Sequence, residues 1–314
     1  MQFFKETNID FIKSRFFFFV LSCISLGIGI LLILFSEINF GIDFVGGTEI
    51  QVAFNQPVQI DDIRSNIEKG GIGDAEIKTF GKNNQYLIRV KENNTNDSKI
   101  STQIMSVLQK SYPGENVTKL GENSIGPKVG KEMRNSAIIA VLLSIIAITL
   151  YIAFRFEFVY GLGAIIGLVH DVLFTVGFVL FMGQIGVLNV QFDQTMLAAI
   201  LTVIGYSIND TVVIFDRIRE NNEIHKGLEI KKIINLSLNE TLSRTVNTGL
   251  SVILVLTIMV FTAGPVLQNF AFTMLVGVIV GTYSSIYISS SYVIYVVDKK
   301  LRKDRAHELA LKRK

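Results

Sequence analysis

Six long apolar stretches divide the chain, and each has the length that a membrane-spanning helix needs. A hydrocarbon core about 30 Å thick requires about 20 apolar helical residues. The stretches that meet this requirement are residues 16–35, 137–154, 158–182, 196–215, 246–263 and 270–297. We therefore predict six transmembrane helices. The first is interpreted as an uncleaved anchor, because its apolar run is too long for a secretory signal and no small-x-small cleavage site follows it.

The segment between the first two spans has shorter hydrophobic periods. A period of two predicts strands at 47–54, 75–80, 85–90 and 116–120, and a helical period predicts helices at 60–69 and 98–111. The order βαββαβ indicates a small ferredoxin-like α+β domain within residues 36–134. This segment contains no Cys or His, so we expect it to bind something or to transmit motion, and not to catalyse a reaction.

Lys and Arg are concentrated on one side of the predicted spans. They precede the first span, lie between spans two and three and between spans four and five, and follow the sixth; the loops 183–193 and 264–269 contain none. Cytoplasmic connections carry the excess of Lys and Arg. We therefore expect the N-terminal residues 1–15 and the basic tail 298–314 to be cytoplasmic, with 36–134 outside and 135–297 forming spans two to six. The connection 216–245 contains an amphipathic stretch that we expect at the cytoplasmic membrane interface.

Composition agrees with a membrane protein and excludes several other classes. Hydrophobic residues make up 49% of the 314 residues, and mean hydropathy is +0.44. The net charge of +3 is too small to indicate nucleic-acid binding, and topology explains the basic tail more simply. A single cysteine cannot form an intramolecular disulfide, and three widely separated histidines give no metal-binding pattern. We expect no metal and no cofactor.

Charged residues inside the predicted spans are the candidates for function. A charge at the bilayer centre costs about 2.5–3.5 kcal/mol on insertion scales, so such residues are rare and usually functional. The third span contains His170 and Asp171, and the fourth contains Asp210. Arg244 opens the fifth span at the same predicted depth as Asp210. Other polar residues share helical faces with these charges: Ser207 and Thr211 with Asp210, and Asn247, Thr248 and Ser251 with Arg244.

Asp210 and Arg244 are predicted to form an ion pair that acts as a proton relay. A buried carboxylate either pairs or takes a proton. Asp171 and His170 are weaker relay candidates, since a hydrogen-bonded packing role also fits His170. Arg244 also has an alternative interpretation, because taken alone it could snorkel to the membrane interface. The rival interpretations are a proton-driven exporter, an intramembrane protease with an Asp171–Asp210 dyad and a passive scaffold. The sequence has no Gly-x-Gly-Asp element at either aspartate, which argues against the protease interpretation.

Small residues recur every four positions in two spans. They are Gly163 and Gly167 in the third span and Gly277, Gly281, Ser285 and Ser289 in the sixth. Residues this small allow helices to approach closely. We interpret both series as packing contacts.

Six stretches, in order along nearly the whole chain, resemble the SecF family of the bacterial SecDF protein-export complex, within the RND superfamily. They read FGIDFVGG at 40–47, SIGPKVG at 124–130, FRFE at 154–157, VHDV at 169–172, YSINDTVVIFDR at 206–217 and LSRT at 242–245. One such block is weak evidence, whereas six in sequence are strong.

The resemblance implies a six-span RND-like half that works with SecD as a separate chain, with the SecYEG channel and with YajC. It implies use of the proton-motive force in the inner membrane to help unfolded preproteins leave on the periplasmic side. Asp210 and Arg244 fall on the family's relay positions, and a further aspartate belongs to SecD. We expect a supporting polar face, formed by Ser207, Asn209, Thr211 and Thr248. Hinges are expected at the junction glycines, namely Gly41, Gly46, Gly47, Gly126 and Gly130.

Overall fold

The computed structural model describes residues 7–36, 38–73, 75–90, 97–186 and 190–299. The helices are α1 Phe11–Phe35, α2 Ile42–Val45, α3 Ile60–Lys69, α4 Asp97–Ser111, α5 Pro127–Arg155, α6 Phe158–Gln184, α7 Gln194–Ile224, α8 Ile230–Thr262 and α9 Pro265–Ser284. A π-helical segment, Ser285–Ser289, follows α9, and helix then continues to Lys299. The strands are β1 Gly47–Ala53, β2 Ala75–Phe80, β3 Lys82–Val90 and β4 Thr118–Ile125.

Six helices in these described ranges are long and apolar enough to cross a membrane, which confirms the predicted spans. They are α1, α5, α6, α7, α8 and the last helix, which comprises α9, the π segment and the helical residues after it. The last helix, α6 and α7 are the most buried, whereas α5 and α1 lie at the outside of the bundle. The predicted intramembrane aspartates therefore belong to the central helices.

The connection between the fourth and fifth spans is helical, which corrects the expectation of a long loop at 216–245. Helix α7 continues to Ile224 and α8 begins at Ile230. The amphipathic stretch is the first part of α8, and its apolar side chains are buried against α1, α5 and α7. They are Ile230, Ile233, Ile234 and Leu238. The stretch is therefore part of a continuous helix whose apolar face packs on protein, and its place at the membrane interface stays a prediction.

The soluble domain has the predicted βαββαβ order. Its sheet order is β2-β3-β1-β4, with all neighbouring strands antiparallel, which is the ferredoxin-like arrangement. One face of the sheet packs on α3 and α4 around side chains such as Ile50, Ile63 and Ile104. Strand β4 extends beyond the predicted 116–120 and pairs with β1 as far as Ile125 opposite Gly47. Its mostly exposed, polar sequence has no alternating pattern that would reveal this length.

Small residues let the central helices approach closely, as their spacing predicts. A Cβ atom added to Gly277 of α9 would lie 2.2 Å from Val203 Cγ2 of α7, and one added to Gly281 would lie 3.1 Å from Ser207 Cβ. A Cβ atom at Gly167 of α6 would lie 2.1 Å from Ser289 Oγ. These contacts bring α6, α7 and α9 together around the polar residues of the bundle.

Candidate functional site

Asp171 lies at the meeting point of α6, α7 and α9 and is 0% exposed. Its Oδ1 is 2.9 Å from His170 Nδ1. Its Oδ2 accepts a hydrogen bond from Ser207 Oγ of α7 and another, 2.7 Å long, from Ser284 Oγ of α9. We call His170, Asp171, Ser207 and Ser284 the Asp171 cluster. Since both carboxylate oxygens have partners, the cluster joins three spans and satisfies a group that would otherwise be costly to bury.

The Asp171 cluster extends to the first span through aromatic side chains. The His170 ring lies 6.1 Å from the Tyr283 ring. The Tyr283 hydroxyl donates to Phe18 O of α1 at 2.7 Å and is also hydrogen-bonded to Ser22 Oγ. Because a tyrosine hydroxyl has one proton, Ser22 is the donor in the second bond. This arrangement connects α1 to the centre of the bundle.

Asp210 is also buried, but its bonding is different. Ser207, Asp210 and Thr211 are 3%, 5% and 2% exposed, so they share a buried face of α7, as predicted. Asp210 Oδ2 is buried and has no hydrogen-bond partner. Thr282 of α9 lies beside this carboxylate, but its Oγ1 is likewise buried without a hydrogen-bond partner. The Asp210 carboxylate is therefore buried with one oxygen left unsatisfied.

Arg244 does not make the predicted ion pair. It is exposed on the outer side of α8, whereas its neighbours Thr241 and Thr245 are buried. No ion pair joins its guanidinium to Asp210 in the part of the chain that the structure describes. The Arg244 side chain is therefore at the surface of the bundle, whereas the Asp210 carboxylate is buried.

The supporting polar residues divide into two kinds. Ser207 donates to Asp171, not to Asp210. Thr211 Oγ1 donates to Ser207 O at 3.5 Å, and Thr248 Oγ1 donates to Arg244 O at 3.0 Å, so both threonine hydroxyls bond within their own helices. Asn209 is exposed on the outer side of α7. Ser207 is thus the supporting residue that contacts a predicted relay residue directly.

Two polar residues of the last span were missed by the sequence analysis. Ser284 completes the Asp171 cluster, and Thr282 lies beside Asp210. The available signal was three consecutive hydroxyl-bearing residues, Thr282 to Ser284, directly after Gly281 in an apolar span. We had interpreted the small residues of this span as packing contacts alone.

The junction glycines lie where the soluble domain meets the bundle. Gly46 has a φ of 78°, and a Cβ atom there would lie 2.7 Å from Pro127 Cα at the start of α5. A Cβ atom at Gly130 would lie 2.7 Å from Gly46 N, whereas Gly126 has open space around it. Gly47 also has a positive φ, and a Cβ atom at Gly41 would lie 2.9 Å from Asp193 Cβ. Close packing explains Gly41, Gly46 and Gly130, and their role as hinges stays a prediction.

Direct bonds connect the soluble domain to the start of α7. Gly41 N donates to Phe192 O at 3.0 Å, and Gln194 N donates to Asp43 Oδ2 at 3.0 Å. On the sheet, the buried Arg89 donates through Nη2 to Gln191 Oε1 at 2.6 Å. Sequence analysis missed Arg89, although it occupies the strand face opposite the hydrophobic side chains. The helix that carries Asp210 is therefore bonded at its first turn to the soluble domain.

Known proteins match this chain over most of its length. The family model described as "Protein export membrane protein SecD/SecF, C-terminal" matches residues 103–299, and "SecD/SecF GG Motif" matches residues 32–58. Protein translocase subunit SecF of Desulfurispirillum indicum is 41% identical over 293 residues, with 91% of each chain covered. The subunit of the same name from Pseudomonas aeruginosa is 37% identical over 259 residues, with 82% of each chain covered.

Two crystal structures of SecDF share the fold. The structure described as SecDF, a translocon-associated membrane protein from Thermus thermophilus, has a TM-score of 0.82 and 31% identity, covering 93% of this chain and 39% of that one. A second, described as a super-membrane-facing form, has a TM-score of 0.70 and 30% identity, covering 98% and 41%. The chain therefore spans about two fifths of the length of the SecDF chains it matches.

Proposed function

The chain belongs to the SecF family of protein translocase subunits, and on that premise we propose that it couples the proton-motive force to late steps of Sec-dependent protein export. It works with a separate SecD chain, the SecYEG channel and YajC in the cytoplasmic membrane, and it assists the release of unfolded preproteins. It acts as a component of the transport machinery and not as an enzyme. Both termini are cytoplasmic, and the ferredoxin-like domain is periplasmic.

The unsatisfied oxygen of Asp210 is the observation that carries the proposal. A buried carboxylate in a membrane must find partners or take a proton. Asp210 lacks the partners that Asp171 has, so taking a proton is the route open to it. Loss of that proton restores a charge, which attracts the Arg244 guanidinium and changes the preferred packing of α7 against α8.

Asp171 and His170 have a different role in this proposal. The carboxylate of Asp171 already has partners on three spans. Asp171 Oδ2 already accepts two hydroxyl hydrogen bonds, whereas Asp210 Oδ2 has no hydrogen-bond partner among the described residues and is open to a proton. We assign the Asp171 cluster to holding α6, α7 and α9 together while Asp210 exchanges its proton.

The bonds at the start of α7 supply the route from the relay to the soluble domain. A displacement of α7 pulls on Asp43 and Gly41, and through Gln191 on Arg89 of the sheet. The domain then alternates between positions that hold and release an extended polypeptide. Rigid attachment at α7 supports this route better than free hinges at the junction glycines do.

The outer face of α7 and α8 supports a partnership with SecD. Asn209 and Arg244 are exposed there, within helices long and apolar enough to cross the membrane. Polar groups facing lipid are costly, so a second membrane protein with a complementary polar surface is the favoured neighbour. A SecD chain provides that neighbour and the further aspartate of the relay.

Proton-gradient-dependent release of a preprotein into vesicles tests the proposal. The vesicles carry SecYEG, SecD and this chain, either wild type or with Asp210→Asn or Arg244→Met. We expect both variants to assemble and to lose the stimulation by the gradient. Asp216→Asn is the matched control, because Asp216 is an exposed carboxylate on the same helix, paired with Arg155. Full stimulation in the Asp210→Asn vesicles would refute the proposal.

A further inference from the structure

A groove of about 1040 Å³ lies between α1, α6 and the end of the last helix, at the membrane end where α1 begins. Its walls are mainly apolar and include Phe16, Phe19, Ile288 and Tyr295. Phe16 is 74% exposed and Tyr295 is 63% exposed, so the groove opens toward the surroundings of the bundle. The lining does not include Asp171, Asp210 or Arg244.

The mouth of the groove is cationic. Arg15, Lys231 and Lys299 line it together with a single carboxylate, Asp298. Lys231 Nζ lies 2.8 Å from Asp298 Oδ2 and is neutralised by it. Lys299 Nζ lies 5.6 Å from the centre of the Tyr295 ring. Arg15 is in no ion pair within the described ranges, so two positive charges at the mouth have no carboxylate partner there.

We propose that this groove binds one anionic phospholipid, whose phosphate lies at Arg15 and Lys299 and whose acyl chain lies along Phe16, Phe19 and Tyr295. Basic pockets between membrane helices recognise anionic headgroups. A zwitterionic lipid also has a phosphate, but its headgroup cation cancels that charge, so it would leave the net positive charge of the mouth uncompensated. A helix of another protein would bury them at a high desolvation cost.

The groove is separate from the proposed proton relay. It is built on α1, α6, the last helix and Lys231 in the first turn of α8, whereas Asn209 and Arg244 are exposed elsewhere on α7 and α8. A lipid in the groove would fill the space between α1 and the last helix. Its binding can therefore be measured without any transport assay, and the inference does not depend on the proposed function.

The chain contains no tryptophan, so one introduced tryptophan reports the lipid next to it. Tyr295→Trp places the indole in the groove and keeps an aromatic ring below Lys299. Phe154→Trp is the matched reference, because Phe154 is 91% exposed at the end of α5 and lies outside the groove. Both proteins are placed in phosphatidylcholine vesicles that contain increasing amounts of brominated phosphatidylglycerol, which quenches tryptophan fluorescence on contact.

We expect quenching of Tyr295→Trp to exceed that of Phe154→Trp at low phosphatidylglycerol, with about a tenfold preference over phosphatidylcholine. Adding Arg15→Gln and Lys299→Gln should remove most of this preference. Lys13→Gln with Lys226→Gln should retain it, since both lysines lie outside the groove. If the double variant folds poorly, Arg15→Gln alone breaks no ion pair among the residues that the structure describes and should lower the preference severalfold.

Three results would overturn the inference. Equal quenching of the two tryptophans would mean that the groove has no lipid preference. An equal loss in the Lys13 and Lys226 control would mean diffuse attraction to the whole basic surface. Displacement of the brominated lipid by soluble glycerol phosphate would mean that the mouth binds a free anion and the apolar walls contribute nothing.

Discussion

Asp171 and Asp210 are both buried carboxylates in neighbouring spans of one bundle, but their surroundings differ sharply. Asp171 has hydrogen-bond partners at both oxygens, drawn from three helices. Asp210 has a buried oxygen without a hydrogen-bond partner among the described residues. The two aspartates thus differ in hydrogen bonding and not in burial. Under the proposed function, this difference assigns the structural role to Asp171 and the proton exchange to Asp210.

The difference arises from how the helices pack. Gly281 allows α9 to lie directly against α7 at Ser207. At this contact Ser284 and Ser207 both reach Asp171 Oδ2. Asp210 lies one turn further along α7, where its Oδ2 finds no hydrogen-bond partner within the described residues and where Arg244 of α8 is exposed. The same close approach thus satisfies one carboxylate and leaves the other with few partners.

Replacing each aspartate by alanine is the strongest way to break this comparison. Asp171→Ala leaves the Ser207 and Ser284 hydroxyls without their acceptor and removes the partner of His170 Nδ1, and we expect it to lower the free energy of unfolding by about 3 kcal/mol or more, since each buried polar group left unsatisfied costs about 1–3 kcal/mol. Asp210→Ala removes a group with an unsatisfied oxygen and should cost about 1 kcal/mol or less. Thermal unfolding in detergent measures both. Equal destabilisation by the two variants would contradict the distinction.

The serine of the last span gives a smaller and more specific effect. Ser284→Ala removes one charge-assisted hydrogen bond to Asp171 and should lower the free energy of unfolding by about 1.5–3 kcal/mol. Gradient-dependent release by the folded protein should be unchanged. Ser285→Ala, at the next residue, is the control, because the hydrogen bond of Ser285 Oγ within the described residues goes to Thr282 O of its own helix. If Ser284→Ala lost its gradient dependence, Asp171 would have to be included in the proton relay.

Substitutions at the junction between the soluble domain and the helical bundle test whether α7 must be held rigidly to that domain. Gly130→Ala forces a Cβ atom to within 2.7 Å of Gly46 N, and we expect a cost of about 1–2 kcal/mol from overpacking together with weaker export. Gly126→Ala is the matched variant, since nothing lies within 4 Å of its added Cβ. Thermal unfolding and preprotein release measure the two effects. If Gly130→Ala changed neither the free energy of unfolding nor preprotein release, the role that we give to close packing would be contradicted.

The smallest effect is expected at Thr248. Its hydroxyl bonds backbone oxygens of α8, so Thr248→Val should change the free energy of unfolding by less than about 0.5 kcal/mol. Ser207→Val, which removes a donor to Asp171, should cost several times more. Unfolding of both variants in one detergent checks the ratio. A large effect at Thr248 would show that it has a partner beyond its own helix.

Hydrophobic patterning was sufficient to predict the six spans, the βαββαβ order and the buried face of Ser207, Asp210 and Thr211. These features depend on local periodicity. Patterning could not show which aspartate has hydrogen-bond partners at both carboxylate oxygens, because that depends on the contact of Ser284 with α6. It also did not show that Arg244 is exposed and makes no ion pair with Asp210 within the described residues. Depth follows from counting residues along one helix, whereas direction depends on how two helices pack.

Infrared difference spectroscopy of the carboxylic-acid C=O band tests the central claim most directly. Spectra are recorded in vesicles at neutral pH, before and after a proton gradient is imposed, for wild type, Asp171→Asn and Asp210→Asn. We predict a gradient-dependent band in wild type and in Asp171→Asn, and its loss in Asp210→Asn. A band that persists in Asp210→Asn and disappears in Asp171→Asn would show that the satisfied aspartate, and not the unsatisfied one, takes the proton.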